Sequence, residues 1–513
     1  MEYIVTSKEM RECDMTAIKD CGIPAMVLME RAALSVFSEI EAFLSETIRI
    51  AIFAGCGNNG GDGLALARLL AEKGIHADIF LIGNTEKLSM ECERQLSILK
   101  QLGITVNSKS AKAEYDMVVD CLFGTGLTRE ITGIYEEAVR AINCYGEKGS
   151  RVIAVDIPSG VCADSGKILG CAVKAELTVA LQYGKAGHYL YPGKMLCGHT
   201  VVHNIGIPES FKPGKEPSFF SYRVEDIHGI LPERAAFGNK GTFGRILLVA
   251  GSRDMAGAAL LCGKTILRSG AGMLKIITAA ENRDLILREL PEAMIYTYED
   301  KPEEEKVRQS IAWADVIVAG CGISTDENAE LLMEMILEQG EKRAVIDADG
   351  LNLIAREGSL QEKLLKYQRG RVILTPHPGE FIRLAGISMN TYKENPAFYL
   401  RKLAKEYGCV IAGKDAVTLV ASPDERMVYL NRTGNDGMAT AGSGDVLAGV
   451  IGALSASLEY FQAACCGVFL HGLAGDMAAE KQGKRGMLAS DISAELKELL
   501  KEETAEREKR IWS

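Results

Sequence analysis

The sequence predicts an α/β protein with two successive domains, each built on a mainly parallel sheet. Short apolar runs alternate with helical patterns in both halves of the 513 residues, and several of these runs end in glycine-rich turns. Parallel neighbours need a crossover, so strand, glycine turn, helix and strand in succession are typical of a parallel sheet. A stretch without periodicity, Ile207–Pro217, separates the halves. We therefore expect domains at residues 1–215 and 222–505.

The first half begins with a helical pattern and continues with alternating strands. The stretch from Ser7 to Phe43 is predicted to be helical, with Ser7 as an N-cap. Its expected core residues are Met15, Met26, Leu28 and Met29. A second helix is predicted at Leu64–Lys73. The predicted strands are Ile48–Ala54, Asp78–Ile82, Met117–Cys121 and Val152–Val155.

The second half repeats this alternation. Its predicted strands are Gly244–Ala250, Val316–Ala319, Ala344–Ile346, Val372–Leu374, Val410–Ala412 and Val417–Val420. The last two flank Gly413-Lys414-Asp415, a sequence typical of a hairpin turn. Helices are predicted at Ala256–Gly270 and Asp445–Ser457. The charged helix Glu495–Arg510 is interpreted as a solvated surface.

Composition and charge exclude several classes of protein. With 47% hydrophobic and 25% charged residues, the chain is typical of a soluble globular protein. Its net charge of −11 argues against a nucleic-acid partner, which would require basic surfaces. No apolar run approaches the roughly 20 residues of a membrane span, and the start of the chain is polar. The 14 cysteines form no CxxC pair and predict free thiols, so we expect a cytoplasmic protein.

The first candidate site is the glycine-rich segment Gly55–Gly63, which follows a predicted strand. Glycines let a ligand approach the backbone, and a helix N-terminus favours negative charge. A purely structural turn remains an alternative for such a segment. That alternative does not explain the three polar side chains of Asn58, Asn59 and Asp62.

Two further polar segments, residues 120–127 and 156–160, follow predicted strands in the same half. Ligands bind at the carboxyl ends of the strands in open α/β sheets, so all three segments are expected at one crevice. Asn59, Asp120 and Ser159 would supply hard oxygen ligands for an alkali or divalent cation. Asp156 is a candidate general acid or base, although a cap or turn role is the alternative for each aspartate.

The first half resembles the NAD(P)H-hydrate epimerase family. The resemblance runs from Thr6 to Gly206 and rests on Gly57–Gly63, Asp120, Phe123–Leu127, Ala154–Val161, Ala175–Val179 and Gly184-Lys185. It implies a Rossmann-like three-layer domain that interconverts the R and S epimers of hydrated NADH and NADPH at C6. It also implies that Asp156 is catalytic and that Asn59, Asp120 and Ser159 bind K⁺. The substrate contacts it implies are Asn58, Asn59, Gly60, Gly61, Asp62, Gly124, Thr125, Gly126, Leu127, Thr128, Arg129, Glu130 and Asp156. Cys56 departs from the family, which usually has proline there.

The second candidate site is Gly442-Ser443-Gly444-Asp445, at the start of a predicted helix. Consecutive small residues let backbone amides surround a phosphate. Asp445 is either an N-cap or a base aimed at a hydroxyl beside that phosphate.

Other polar groups follow the remaining strands of the second half. His377 lies between two prolines, where the backbone is stiff, although a lone histidine is more often structural. Asp347 and Asp349 follow another strand, and Lys414 is either a phosphate ligand or an exposed side chain.

The second half resembles the ribokinase-like NAD(P)H-hydrate dehydratases over Glu225–Leu500. The supporting segments are Gly238–Gly244, Gly251-Ser252, Met255–Ala259, Arg268–Gly272, Pro291–Met294 and the Gly-Ser-Gly-Asp turn. The resemblance implies dehydration of the S epimer through phosphorylation of its hydroxyl by ADP or ATP, with Mg²⁺, followed by elimination. Asp445 would activate the hydroxyl. Ala258, Gly322, His377 and Asp445 would contact the hydrate, and Lys414, Asp415, Ala416, Val417, Thr418 and Gly444 would contact the nucleotide. Cys321 and Asp436 depart from prolines that are usual in the family.

Together the halves predict a bifunctional enzyme that repairs hydrated NADH and NADPH, and we expect it to be a homo-oligomer. One alternative is a ribokinase-like small-molecule kinase with an N-terminal nucleotide-binding module. The Asn-Asn-Gly-Gly-Asp segment argues against it, because such kinases carry no domain of that kind. A non-catalytic binding module is the other alternative, and the presence of both Asp120 and Asp156 argues against that reading.

Overall fold

The computed structural model describes residues 1–108, 113–208, 217–234 and 236–512. The chain forms two compact units, one of Tyr3–Phe219 and one of Met1–Glu2 with Phe220–Ser513. Most of the stretch predicted as a boundary lies outside the described residues, at 209–216. No helix in the described part of the chain is both long enough and apolar enough to cross a membrane.

The N-terminal unit is built on a parallel sheet. Its strands are β1 (Glu2–Val5), β2 (Ile50–Ala54), β3 (Ala77–Leu81), β4 (Val106–Asn107), β5 (Met117–Cys121), β6 (Arg151–Val155), β7 (Leu177–Leu181), β8 (Gly184–Lys185) and β9 (His199–His203). The sheet has the order β4-β3-β2-β5-β6-β7-β9, while β1 pairs in parallel with β8. β3 and β4, which follow β2 in the chain, lie on one side of it. The next strands, from β5 onward, lie on its other side. This reversal creates a switch point between β2 and β5, where ligands of such sheets bind.

Helices cover both faces of this sheet, which confirms the three-layer prediction. They are α1 (Ser7–Lys19), α2 (Ala25–Ile40), α3 (Asn58–Glu72), α4 (Met90–Gln101), α5 (Ile134–Glu147), α6 (Ala186–Tyr189) and α7 (Lys194–Cys197). One apolar cluster joins the sheet to α1 through α4, and a second joins its other face to α5. Short 3₁₀ turns occupy Glu41–Phe43 and Thr85–Lys87.

The helical prediction for Ser7–Phe43 is confirmed on either side of an interruption at residues 20–24. The structure has two helices with a break before α2, whose N-cap is Pro24. The N-cap of α1 is Thr6 instead of Ser7, because Thr6 and Glu9 form a reciprocal capping box. Met15 is 51% exposed and not a core residue, since it lies on the outer face of α1.

The C-terminal unit has a second, mainly parallel sheet. Its strands are β10 (Phe219–Ser221), β11 (Arg245–Val249), β12 (Met273–Ala279), β13 (Met294–Tyr298), β14 (Val316–Ala319), β15 (Arg343–Ile346), β16 (Val372–Leu374), β17 (Val410–Gly413), β18 (Leu419–Ala421) and β19 (Val428–Leu430). Their order is β13-β12-β11-β14-β15-β16-β17-β18-β19-β10. β17, β18 and β19 are antiparallel neighbours. The predicted hairpin is present, but its second strand begins at Leu419 because residues 414–418 form the connection.

Helices surround this second sheet. They are α8 (Ile227–Ile230), α9 (Ala256–Arg268), α10 (Arg283–Glu289), α11 (Glu304–Trp313), α12 (Glu327–Leu337), α13 (Asp349–Arg356), α14 (Gly358–Lys366), α15 (Pro378–Ala385), α16 (Met389–Glu394), α17 (Pro396–Tyr407), α18 (Ser443–Leu454), α19 (Tyr460–Gln482) and α20 (Ala489–Trp512). The prediction that Glu495–Arg510 forms a solvated surface is wrong for the start of that range. Leu496 and Leu499 there are buried, because this part of α20 packs on α9 and α19.

Candidate active sites

A cleft of about 660 Å³ opens at the switch point of the N-terminal sheet. Its walls come from α1, α2, the start of α3 and the turns that follow β2, β5 and β6. The three polar segments predicted to meet at one crevice all contribute to this cleft.

The segment predicted as a glycine loop is mostly helix. Only Gly55, Cys56 and Gly57 form a turn, and α3 begins at Asn58. A side chain at Gly60 would meet the carbonyl oxygen of Gly55 at 1.8 Å, so glycine allows α3 to start directly against the strand end. The amide groups of the first turn of α3 therefore face the cleft, where they favour an anion.

Asp120 and Ser159 form a closed buried network at the end of β5. The Asp120 carboxylate accepts hydrogen bonds from the Ser159 backbone N–H (2.8 Å) and hydroxyl (2.7 Å) and from the Leu122 N–H (3.2 Å). The Phe123 N–H in turn donates to the Ser159 hydroxyl at 2.9 Å. Burial raises the pKa of Asp120 to about 6, although these bonds oppose the shift.

Asn59 lies beside Gly124 and has both polar atoms of its side chain buried. Neither its Oδ1 nor its Nδ2 has a hydrogen-bond partner among the described residues. An added Cβ at Gly124 would lie 3.4 Å from Asn59 Cγ and 3.4 Å from Asp156 Oδ2, so Gly124 keeps this space open. A buried amide without a partner is unfavourable by about 1–3 kcal/mol, and hard oxygen donors here fit a cation such as K⁺.

Asp156 is held tightly at the end of β6. Its backbone is left-handed, with φ at 69°, where a residue other than glycine is uncommon. Its Oδ1 accepts a short charge-assisted hydrogen bond from Lys185 Nζ and another from the Leu181 N–H at 3.2 Å. Its Oδ2 has no hydrogen-bond partner in the described part of the chain and points to the space beside Gly124. One carboxylate oxygen is therefore anchored while the other remains available to a ligand.

Lys185 and His188 complete this anchor from β8 and α6. Lys185 is fully buried and also donates to the Leu181 carbonyl at 2.8 Å. His188 Nδ1 accepts from the Lys185 backbone N–H at 3.1 Å, so Nε2 carries the proton and donates to the Asp156 carbonyl at 2.8 Å. Burial, aided by the Lys185 charge, lowers the pKa of His188 to about 4, which keeps it neutral.

Two more carboxyl groups line the same cleft. Burial raises the pKa of Asp14 to about 6; Lys185 opposes this shift and Asp156 adds to it. Burial also raises the pKa of Asp62 well above its usual value, and the charges of Asp156 and Asp14 add to that. The sequence analysis missed Asp14. Met10 and Ile18 lie four residues before and after it, so all three share one face of α1, and this face lines the cleft. A carboxylate on the apolar face of a predicted helix is the signal that could have identified it.

The implied substrate contacts divide into two groups. Residues on the cleft wall are Asn58, Asn59, Asp62, Gly124, Thr125, Gly126, Leu127 and Asp156. Gly60 and Gly61 are buried behind that wall within α3. Thr128, Arg129 and Glu130 are exposed beyond it.

The C-terminal site forms at an equivalent switch point, between β11 and β14. The Gly251 N–H donates to the Cys321 carbonyl at 3.0 Å, which joins the turns after these strands. A Cβ at Gly322 would lie 2.9 Å from the Cβ of Ala258, so these two predicted hydrate contacts are neighbours.

Asp347 and Lys414 meet where β15 and β17 end. Lys414 Nζ donates to Asp347 Oδ1 at 2.5 Å, and the carboxylate is almost fully buried. Burial disfavours the lysine charge, but Asp347 and Glu380 together raise the pKa of Lys414. A Cβ at Gly444 would lie 3.3 Å from Lys414 Nζ and 3.5 Å from Asp347 Oδ2. The Gly-Ser-Gly-Asp turn therefore lies directly against this ion pair.

Asp445 lies in the first turn of α18, but it is not the N-cap. The N-cap is Gly442, whose φ of 89° suits glycine, so Asp445 is the third helical residue. Burial raises the pKa of Asp445 to about 6; Asp347 adds to this, and Lys414 opposes it. Ligating atoms of Cys321, Asp347 and Asp445 lie within 4.8 Å of one another.

His377 caps α15 and pairs with a residue that the sequence analysis missed. Its Nδ1 accepts from the Gly379 N–H at 3.0 Å, while the Glu380 carboxylate accepts from the His377 N–H at 2.8 Å. Burial lowers the pKa of His377, with Lys414 and Arg383 adding to the effect. Burial raises the pKa of Glu380 to about 7. The spacing of three residues between cap and carboxylate is the signal that could have identified Glu380.

The implied nucleotide contacts lie together in the hairpin connection, apart from Gly444. The Lys414 N–H donates to the Pro376 carbonyl at 2.8 Å, which ties this connection to the His377 segment. Asp415 and Ala416 are exposed, Val417 is buried and Thr418 is half-buried.

Comparison with known proteins identifies relatives of the whole chain. A family described as NAD(P)H-hydrate dehydratase matches residues 246–498, and one described as YjeF-related protein N-terminus matches residues 25–187. The bifunctional NAD(P)H-hydrate repair enzyme Nnr of Moorella thermoacetica is 35% identical over 511 residues, covering 96% of this chain and 95% of that protein. The enzyme of the same name from Escherichia coli is 30% identical over 502 residues, covering 97% and 94%. A ribokinase-like superfamily protein of Enterococcus faecalis has a solved structure with 26% identity and a TM-score of 0.50, covering 56% of this chain and 96% of that one.

Proposed function

The chain belongs to the family of bifunctional NAD(P)H-hydrate repair enzymes, and we propose that each of its two sites carries one step of that repair. The N-terminal cleft epimerises the R and S hydrates of NADH and NADPH at C6. The C-terminal site dehydrates the S hydrate with ADP or ATP as co-substrate. One observation supports this proposal most strongly: each switch point holds an aspartate near a lysine, Asp156 with Lys185 and Asp445 with Lys414.

In the epimerase, Asp156 exchanges a proton with the C6 hydroxyl. C6 bears both this hydroxyl and the ring nitrogen, so the C6–O bond breaks when the oxygen is protonated and the nitrogen donates its lone pair. Water then adds to the other face and loses a proton. Asp156 Oδ2 is available for this exchange because Lys185 anchors Oδ1. The first turn of α3, with Asn58 and Asp62, and the segment from Gly124 to Leu127 bind the dinucleotide.

A K⁺ ion in this cleft would be held by Asn59, Asp120 and Ser159. The unpartnered buried amide of Asn59 and the oxygen atoms of the adjacent network support this ligand set. The ion would supply positive charge beside the bound substrate. Its exchange for Li⁺ tests the assignment: epimerisation should slow in the wild type, while Asn59→Ala should be slow in both salts.

In the dehydratase, Asp445 accepts the proton of the C6 hydroxyl as that oxygen attacks the terminal phosphate of the nucleotide, whose bridging P–O bond breaks and releases AMP from ADP or ADP from ATP. The C6–O bond then breaks with its electrons on the departing phosphate, and loss of a proton from C5 restores the double bond. Lys414 and the backbone at Gly444 lie where they can hold nucleotide phosphate. Asp347 Oδ2 remains available to Mg²⁺, which commonly binds one or two carboxylates together with phosphate. Ala258, Gly322 and His377 contact the hydrate.

The proposal is tested by recovery of the reduced-nicotinamide absorbance from each purified epimer. With ADP and Mg²⁺, the full chain should restore both epimers completely, and each nucleotide is tested in turn. Recovery limited to the S epimer would refute the epimerase assignment. Accumulation of a stable phosphorylated product would instead support the small-molecule kinase alternative.

The domain limits of 1–215 and 222–505, a homo-oligomer and a cytoplasmic location remain predictions. Limited proteolysis tests the domain limits, and analytical sedimentation tests the oligomeric state. Cell fractionation tests the location.

A further inference from the structure

The N-terminal cleft contains a carboxyl group that the proposed chemistry has not used. Asp14 lines the cleft together with Asp62, Asp156 and Lys185. Lys185 is paired with Asp156, whereas the Asp14 carboxyl has no hydrogen bond or ion pair within the described ranges. A half-buried carboxyl that faces a ligand cleft without a protein partner is available to a ligand.

The fold places Asp14 beside the Asp156 anchor. β1 pairs in parallel with β8, and Val5 lies opposite Lys185. α1 begins two residues later at Ser7. Asp14 follows two turns along this helix, on the face that Met10 and Ile18 also turn to the cleft. The two carboxyl groups thus reach the cleft from different elements, Asp14 from a helix and Asp156 from a strand end.

Epimerisation at C6 requires proton exchange on both faces of the ring. The leaving oxygen takes a proton on one face, and the incoming water gives up a proton on the other. A single fixed carboxyl cannot reach both faces, so two groups are needed, as in other paired-carboxylate enzymes.

We propose that Asp14 is the second acid–base residue of the epimerase and exchanges a proton with the C6 oxygen on the face opposite Asp156. This inference rests on the proposed function. When the acid on one face protonates the hydroxyl, the C6–O bond breaks and water leaves, while the nitrogen lone pair forms a C=N bond. Water then adds on the other face, the nitrogen recovers its electron pair and the second carboxylate takes the proton. No electrons are gained or lost overall.

The accessibility and the pKa of Asp14 suit this role. The pKa of Asp14 is raised to about 6, mainly by burial, so near neutral pH it can both donate and accept. Burial also raises the pKa of Asp62, but the Asp62 side chain is buried, whereas that of Asp14 is half-buried and accessible from the cleft. The charges of Lys185 on β8 and Asp156 after β6 act on Asp14, and Asp14 in turn acts on Asp62 of α3. The other charged side chains that line the cleft are Arg11, Lys87 and Glu91.

The test measures interconversion of the purified R and S hydrates by chiral chromatography, without nucleotide, on the full chain. Asp14→Asn should lower kcat by about 10²-fold or more and leave KM within about threefold. The wild-type kcat/KM should fall as the pH rises through about 6, because Asp14 then loses its proton, and Asp14→Asn should lack this limb. Glu12→Gln is the control, because its side chain is 49% exposed on the same helix.

A kcat of Asp14→Asn within twofold of wild type, or an unchanged pH limb, would overturn the inference. Recovery of the S hydrate with ADP reports on the folding of each sample through its other site, and thermal melting reports on the N-terminal unit. If Asp14→Asn fails to fold, Asp14→Glu decides: its pH limb must move relative to wild type. A wild-type chain that does not interconvert the epimers would refute the proposed function itself, whatever the variants do.

Discussion

The two sites use the same elements in different ways. Each lies at the switch point of a parallel sheet, beside the start of a helix opened by glycines, and each contains a buried lysine–aspartate pair. In the N-terminal cleft the lysine binds the proposed catalytic residue itself, Asp156. In the C-terminal site Lys414 binds a neighbour, Asp347, and Asp445 forms no ion pair with any residue that the structure describes.

The difference indicates how each aspartate is adapted to its step. Asp156 needs a fixed position, since it must address one face of a ring, and Lys185 fixes one of its oxygens. Asp445 needs to accept a proton near neutral pH, and burial beside Asp347 raises its pKa to about 6. The same residue types therefore give an anchor in one unit and a tuned base in the other.

The largest expected effect comes from removing the tuned base. Asp445→Asn should lower recovery from both epimers by about 10²–10⁴-fold, because both routes end in the dehydratase. The assay is recovery of absorbance with ADP. Epimer interconversion without nucleotide should persist in this variant, and Asp424→Asn, an exposed carboxylate of the same unit, is the control. Loss of interconversion as well would contradict independent sites.

Removing the anchored group should affect one epimer only. Asp156→Asn should leave recovery of the S hydrate unchanged and slow recovery of the R hydrate by about 10²-fold or more, because the substrate loses its proton exchange. The two recoveries are measured side by side on one preparation. Equal recovery of both epimers would contradict the assignment of Asp156.

The anchor itself should be sensitive to loss of the lysine. Lys185→Met should destabilise the N-terminal unit by about 3–5 kcal/mol, because Asp156 would remain as a buried charge without its partner. Chemical denaturation followed by a probe in that unit measures the change. Lys148→Met, an exposed lysine, should have little effect. A matching loss in the control would show that lysine removal in general is responsible.

The smallest effect concerns stability at the tuned base. The folded-state pKa of Asp445 is raised from 3.8 to about 6, so the wild type loses stability as the pH rises through this window. Asp445→Asn lacks this loss and should be more stable at pH 8 by about 1–3 kcal/mol, but not at pH 4. Thermal melting at the two pH values measures the difference. An equal gain at both would mean that the carboxylate charge is not the cause.

Much of the fold could be predicted because apolar periodicity is a local property. The strands at Met117–Cys121 and Val316–Ala319 were predicted with the bounds that the structure shows, since both are short runs buried on both faces. The break before α2 was missed because a single proline and glycine interrupt an otherwise continuous pattern. α3 starts six residues earlier than predicted, at Asn58, because glycines that usually mark a loop here pack the helix against the sheet.

The sequence by itself determined the α/β class, the order of the strands along the chain and the glycine and aspartate segments that follow them. These features depend on neighbouring residues, so they can be read locally. Only the tertiary structure decided which distant charges meet: Lys185 with Asp156, and Lys414 with Asp347. It also decided that Asp14 lines the same cleft as Asp156 and Lys185. Such pairings depend on strand order and helix direction across the sheet. The protonation of each aspartate follows from burial and from these partners, which no local pattern contains.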